Sequence, residues 1–144
     1  MDWAALPLTP LQDAKCPILF VHSKDDTTIP SSHSFSLFHA LMEPYLPSWP
    51  VTPTGIAILT TTADQLAQIG VVGEAREKII NTLVTTSQLG PEDAPFGTVR
   101  EFIDEKQGGR RAVYLETEYG GHSEIVRWEA VIDMMGDVAG LSRV

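Results

Sequence analysis

The chain has 144 residues, 43% of them hydrophobic, with a formal charge of -9 and an isoelectric point near 4.7. That length and apolar content fit one globular domain and exclude a chain disordered by composition. The acidic balance excludes a binder of nucleic acid, whose phosphates call for a basic face.

No run reaches the 18 or so apolar residues of a membrane-spanning helix, and MDWAALPLTP lacks the basic start and long apolar stretch of a secretory signal. The expectation is a chain neither exported nor membrane-inserted, with its compartment otherwise unassigned. Cys16 is the single cysteine, so neither an internal disulfide nor a thiolate metal cluster can form. It opens an apolar stretch and is expected to serve packing.

Residues 17–22, PILFVH, form a short and nearly continuous apolar run, the pattern of a central strand covered on both faces of a parallel sheet. SKDDTTIP follows. After Pro30, Ser31 and Ser32 are placed to cap a helix with Phe35, Phe38, Leu41 and Met42 on one stripe. Pro44, Pro47, Pro50 and Pro53 then mark a linker. GIAIL reads as a strand or a buried turn. Helical periodicity covers about 62–88, with Ile79, Ile80, Leu83 and Val84 on one stripe and a division expected at Gly70 and Gly73. LGPEDAPFG is a loop, and TVREFIDE a short amphipathic piece whose acids, with Glu92 and Asp93, read as a solvated face.

RAVYLETE at 111–118 alternates, as a strand near a sheet edge does. YGGHSEI follows, then a helix with Ile125, Trp128, Ile132 and Met135 along a core stripe and Gly140 as its stop. The chain therefore opens and closes on the same unit of strand, polar loop and helix. Two such units imply a parallel pair in an α/β layer structure, whose ligands bind beyond the carboxyl ends of the strands. Asp25, Asp26 and His122 all lie at such ends. An acid there can fix the tautomer of a histidine and stabilise the imidazolium formed during proton transfer. Gly120 and Gly121 would let the backbone turn sharply beneath the ring.

Two readings of Asp26 stand side by side: a turn acid bonded to its own loop, or a carboxylate held for chemistry. Asp25 reads as its solvated neighbour, His22 as structural. His33 and His39, six positions apart, fall on different helix faces and do not form a metal-binding pair.

HSKDDTTIP resembles the H-G-x-x-D-x-x-V-P segment of α/β-hydrolases, with Ser23 where glycine is common and Ile29-Pro30 closing the motif. YGGHSEI is similar to the histidine loop of the same fold. The likeness runs over residues 11–43 and 109–141, and most closely to serine hydrolases acting as monoacylglycerol and lysophospholipid lipases, including fungal ones. It implies Asp26 as catalytic acid, His122 as catalytic base, a small-molecule or lipid ester as substrate of the intact enzyme, and no cofactor or metal. The family's serine sits in a G-x-S-x-G turn ahead of the acid, and the chain contains no such motif. The resemblance thus implies the C-terminal portion of a partial α/β-hydrolase fold, inactive alone. Asp26 and His122 are 96 positions apart, against about 30 for an ordinary crossover. The excess is assigned to a largely helical insertion at about 45–110, a cover for an acyl pocket or a spacer. The rival expectation is a non-catalytic module that pairs with an N-terminal half or with itself through an exposed sheet edge.

Overall fold

The structure is a computed structural model that describes residues 11, 13–50, 62–93 and 95–141. Four strands, β1 (Ile18–Ser23), β2 (Val84–Leu89), β3 (Gly97–Asp104) and β4 (Arg110–Thr117), form one mixed sheet in the order β1-β4-β3-β2. β1 and β4 run parallel, with Ile18 opposite Ala112 and Ser23 opposite Thr117. The other two pairings are antiparallel. The α-helices among the described residues include α1 (Ser31–Ala40), α2 (Ala63–Leu83) and α3 (Glu129–Val138), which with the sheet give an α/β architecture. Among the described residues no helix is long and apolar enough to cross a membrane. The GIAIL stretch lies outside the described residues.

Alternation along β4 divides the core. Ala112 and Tyr114 pack with Phe38, Leu41, Met42 and Phe102 on one face, while Val113 and Leu115 pack with Val99, Ile125, Val131 and Val138 on the other. Both sets are apolar, so β4 is the strand covered on both sides, and it lies between β1 and β3. The placements expected for the two parallel strands are therefore exchanged: β1 stands at an edge among the described residues, and Ile18 to Val21 are only partly buried. Cys16, two residues before β1, is exposed rather than packed.

The stretch at about 45–110, expected to be largely helical, is only partly helical among the described residues. α2 begins at a capping box, in which Thr62 Oγ1 accepts from Gln65 N and the Gln65 side chain accepts from Thr62 N. It passes Gly70 and Gly73 without a break, because a glycine inside a helix costs only about 1 kcal/mol, and the Trp49 ring lies beside Gly73. One turn on, the Arg76 guanidinium stacks on that ring at 4.7 Å and bonds Glu43 and Pro47 O. α2 ends at Leu83, where the β-branched run Val84, Thr85, Thr86 opens β2. TVREFIDE is most of β3, and its acids divide by strand alternation. Glu101 bonds Arg111, whereas Asp104 turns inward with Phe102 and is buried against Arg110 at 2.6 Å, not solvated.

α1 buries Phe38 and carries Phe35 against Tyr114, ring centroids 5.4 Å apart. Its N-cap is Pro30 with no side-chain cap, so neither Ser31 nor Ser32 caps it. In the last helix the buried stripe is Val131 and Val138 with Met134 partly covered. The expected Ile132 and Met135 point outward, each 52% exposed, one position out of register with the face that α3 lays on the sheet.

Candidate active site

β1 ends at Ser23 and β4 at Thr117, side by side at one end of the sheet, and the Lys24 N–H bonds Thr117 O at 2.9 Å to extend the pairing by one rung. The two polar loops thus leave the sheet together. The first turns back at once, and Asp26 forms that turn: its Oδ1 accepts from the N–H groups of Thr28 (2.8 Å) and Ile29 (3.0 Å). Its other oxygen, Oδ2, accepts from His122 Nδ1 at 2.9 Å, across 96 positions of sequence. The turn acid and the partner of a histidine are therefore one residue, with one oxygen given to each task.

The second loop is shaped by glycine. Gly120 (φ +136) and Gly121 (φ +55) both have positive φ, and a Cβ at Gly120 would stand 3.1 Å from Ile125 Cβ. Asp25 holds this loop, since its Oδ1 accepts from Gly121 N at 2.8 Å and from the Ser23 hydroxyl. Asp25 is exposed, as expected of a solvated neighbour, and in addition bonds both loops; its carboxyl lies below the ordinary aspartate range because of the Ser23 hydroxyl first and the Gly121 N–H second. An acid beside a candidate acid, with a paired glycine in the facing loop, is the sequence signal for that role.

The Asp26 side chain is 6% exposed. Its carboxyl is drawn down to about 2, chiefly by the hydrogen bond to His122 and then by the Ile29 N–H. Asp26 is therefore an anion at neutral pH, able only to accept. The bond to Nδ1 makes that nitrogen the donor, which leaves the lone pair of a neutral His122 on Nε2. The His122 side chain is 49% exposed, and among the described residues Nε2 has no hydrogen-bond partner and faces no serine hydroxyl. The arrangement can orient a base and stabilise its protonated form.

His22 is buried and bonded, as befits a structural residue. His33 is exposed and His39 half-buried against Phe35. Among the described residues no group of three or more His, Cys, Asp or Glu side chains is placed to hold a metal. Two cavities occur. One, of about 580 Å³, lies between α1, α2 and the sheet, lined by Phe35, Trp49, Ile80 and Arg100. The other, of about 880 Å³, lies beside Phe96, Tyr119, Trp128 and Ala130. Neither is lined by Asp26 or His122.

Comparison of the chain with protein-family models, curated proteins and solved structures found no match.

Proposed function

We propose that this chain is the C-terminal portion of an α/β-hydrolase acting on carboxylic or lipid esters, supplying the acid and the histidine of a serine triad. One observation carries the reading. An ionised, nearly buried carboxylate and an outward-facing imidazole meet at 2.9 Å where two adjacent parallel strands end. In the complete site a serine hydroxyl would donate to His122 Nε2. His122 would take its proton as the oxygen attacks the acyl carbon and return it to the leaving alkoxide, and Asp26 would hold the ring and its charge throughout. The cleft beside Phe96, Tyr119 and Trp128 supports a substrate with an apolar body. The Phe96 carbonyl accepts from Glu118 N at 2.9 Å, so the cleft opens at the same end of the sheet as the pair.

The test is to read the coding sequence upstream of Met1 and treat both the longer product and the 144-residue chain with a fluorophosphonate. An in-frame G-x-S-x-G is expected, with labelling of the longer product that disappears in His122→Ala and no labelling of the short chain. Serine labelling of the short chain that depends on His122 would overturn the assignment of the nucleophile to a missing portion. Absence of any upstream serine turn would overturn the hydrolase reading itself.

A second reading, a non-catalytic module completed by another polypeptide, is favoured by the β1 edge, which has no paired strand among the described residues and keeps Ile18 and Phe20 partly exposed. Size-exclusion chromatography separates the two. A clean monomer without hydrolytic activity in any longer form leaves no place for the first reading, and a soluble monomer with full secondary structure argues against an obligatory partner.

A further inference from the structure

His22, the penultimate residue of β1, has its ring buried, 6% exposed, and both ring nitrogens engaged. Nε2 lies 2.9 Å from Ile29 O, and Nδ1 lies 2.9 Å from Ser34 Oγ on α1. A carbonyl oxygen only accepts, so Nε2 carries a proton, and with that tautomer Nδ1 accepts a hydrogen bond from the Ser34 hydroxyl. This chain of bonds ties the end of β1 to Ile29 and to the second turn of α1. Ile29 is also the residue whose N–H donates to Asp26 Oδ1. The peptide groups on the two sides of Ile29 are thus held by two different side chains, His22 at the carbonyl and Asp26 at the amide. The same Nε2 stands 3.6 Å from Asp26 Oδ2, the oxygen that His122 uses.

We infer that His22 and Ser34 are positioning residues that aim the Asp26 carboxylate at His122 by fixing the Ile29 turn and flanking Oδ2. The consequence for catalysis rests on the hydrolase reading; the positioning itself does not. A Ser34 hydroxyl that fixes the His22 ring, a ring that fixes the Ile29 carbonyl, and an Ile29 amide that fixes Oδ1 leave Oδ2 one direction in which to point. Without the relay the loop would still have its two N–H bonds to Asp26 and the Asp26 N–H bond to Ser23 O, yet the Ile29 carbonyl would lose its tie to the β1 ring of His22. Oδ2 would then swing relative to the imidazole, and a second-layer displacement of this kind loosens a first contact that remains chemically intact.

The experiment reads the imidazole rather than ester turnover. Long-range proton–nitrogen NMR spectra give the His122 tautomer, and solvent exchange of its Nδ1 proton reports how firmly the bond to Asp26 is held. Wild type is expected to show the Nδ1–H tautomer alone. Ser34→Ala removes a hydroxyl from a helix interior where alanine is favoured, and is expected to fold while the Nδ1 proton exchanges about tenfold faster and the second tautomer appears. Ser34→Thr restores a hydroxyl and is expected to return both readouts towards wild type. His22→Phe, which keeps the ring and removes both bonds, is expected to exceed Ser34→Ala. A single tautomer with wild-type exchange in folded Ser34→Ala overturns the proposal, whether or not His22→Phe folds. Because no ester is used, that result would leave the hydrolase reading standing. Failure to find a serine nucleophile would in turn leave these spectra unchanged.

Discussion

Arg110→Met is expected to be among the most damaging substitutions outside the site. Arg110 Nη2 donates to Asp104 Oδ2 at 2.6 Å with both side chains buried, and Nη1 donates to Leu11 O (2.8 Å) and Ala14 O (2.7 Å). Asp104 Oδ1 accepts from Tyr45 OH at 2.8 Å, so one ion pair joins the segment before β1, the turn after α1 and the β3–β4 end. Methionine fills much of the arginine volume and leaves the Asp104 charge buried with one neutral donor, a change that costs about 3–5 kcal/mol. The carbonyls of Leu11 and Ala14 belong to half-buried residues and can rehydrate, so they add little. With a urea slope of about 2 kcal/mol per molar for a small domain, the midpoint falls by roughly 2 M. Far-UV circular dichroism in urea measures it. Removing the charge as well, in Arg110→Met with Asp104→Leu, is expected to recover most of the loss, since replacing a buried pair by apolar groups is often close to neutral. A single variant within about 1 kcal/mol of wild type, or a double variant less stable than the single, would refute the reasoning.

The Asp26 carboxyl is lower in the folded chain, at about 2, than its ordinary value of 3.8. Its stabilisation is therefore complete above pH 4 and lost as pH falls towards 2. Asp26→Asn is expected to lose stability near neutrality and to show a shallower decline across that window, read from thermal melts at pH 2 to 7; parallel curves for the two proteins would contradict the assignment. Gly120→Ala, at φ +136 and 3.1 Å from Ile125 Cβ, is expected to lower the melting temperature and to weaken the His122 contact in the same NMR spectra. Gly121→Ala has open space at φ +55 and is expected to cost less, and the reverse order would count against the loop geometry.

The parts of the fold that were legible in sequence are those where chemistry is local. PILFVH, the proline at the start of α1 and the GGH turn each announce their own geometry, and the parallel pairing of the two strands with Asp26 against His122 follows once both loops leave at carboxyl ends. The strands of the insertion were hidden. Thr85, Thr86, Ser87 and Gln88 in β2 are exposed and carry no apolar alternation, so helical periodicity upstream ran through them. In β3 the charges of Arg100, Glu101 and Asp104 mimic a solvated face because their partners Glu116, Arg111 and Arg110 lie on the neighbouring strand, out of sequence range. The roles of Asp25 and His22 likewise depend on Gly121 and Ser34, contacts that no linear pattern states.

Ile18 and Ala112 are register partners 94 positions apart, whereas β2, β3 and β4 follow one another through short turns. Loop closure grows only with the logarithm of length, so lengthening a crossover of about 30 residues to about 90 raises its entropic cost by roughly 1 kcal/mol. The added strands also attach on the far side of β4 from β1, where they leave the Ser23–Thr117 rung undisturbed. A long intervening stretch of chain is therefore thermodynamically inexpensive here, and added length does not by itself separate the carboxylate from the ring.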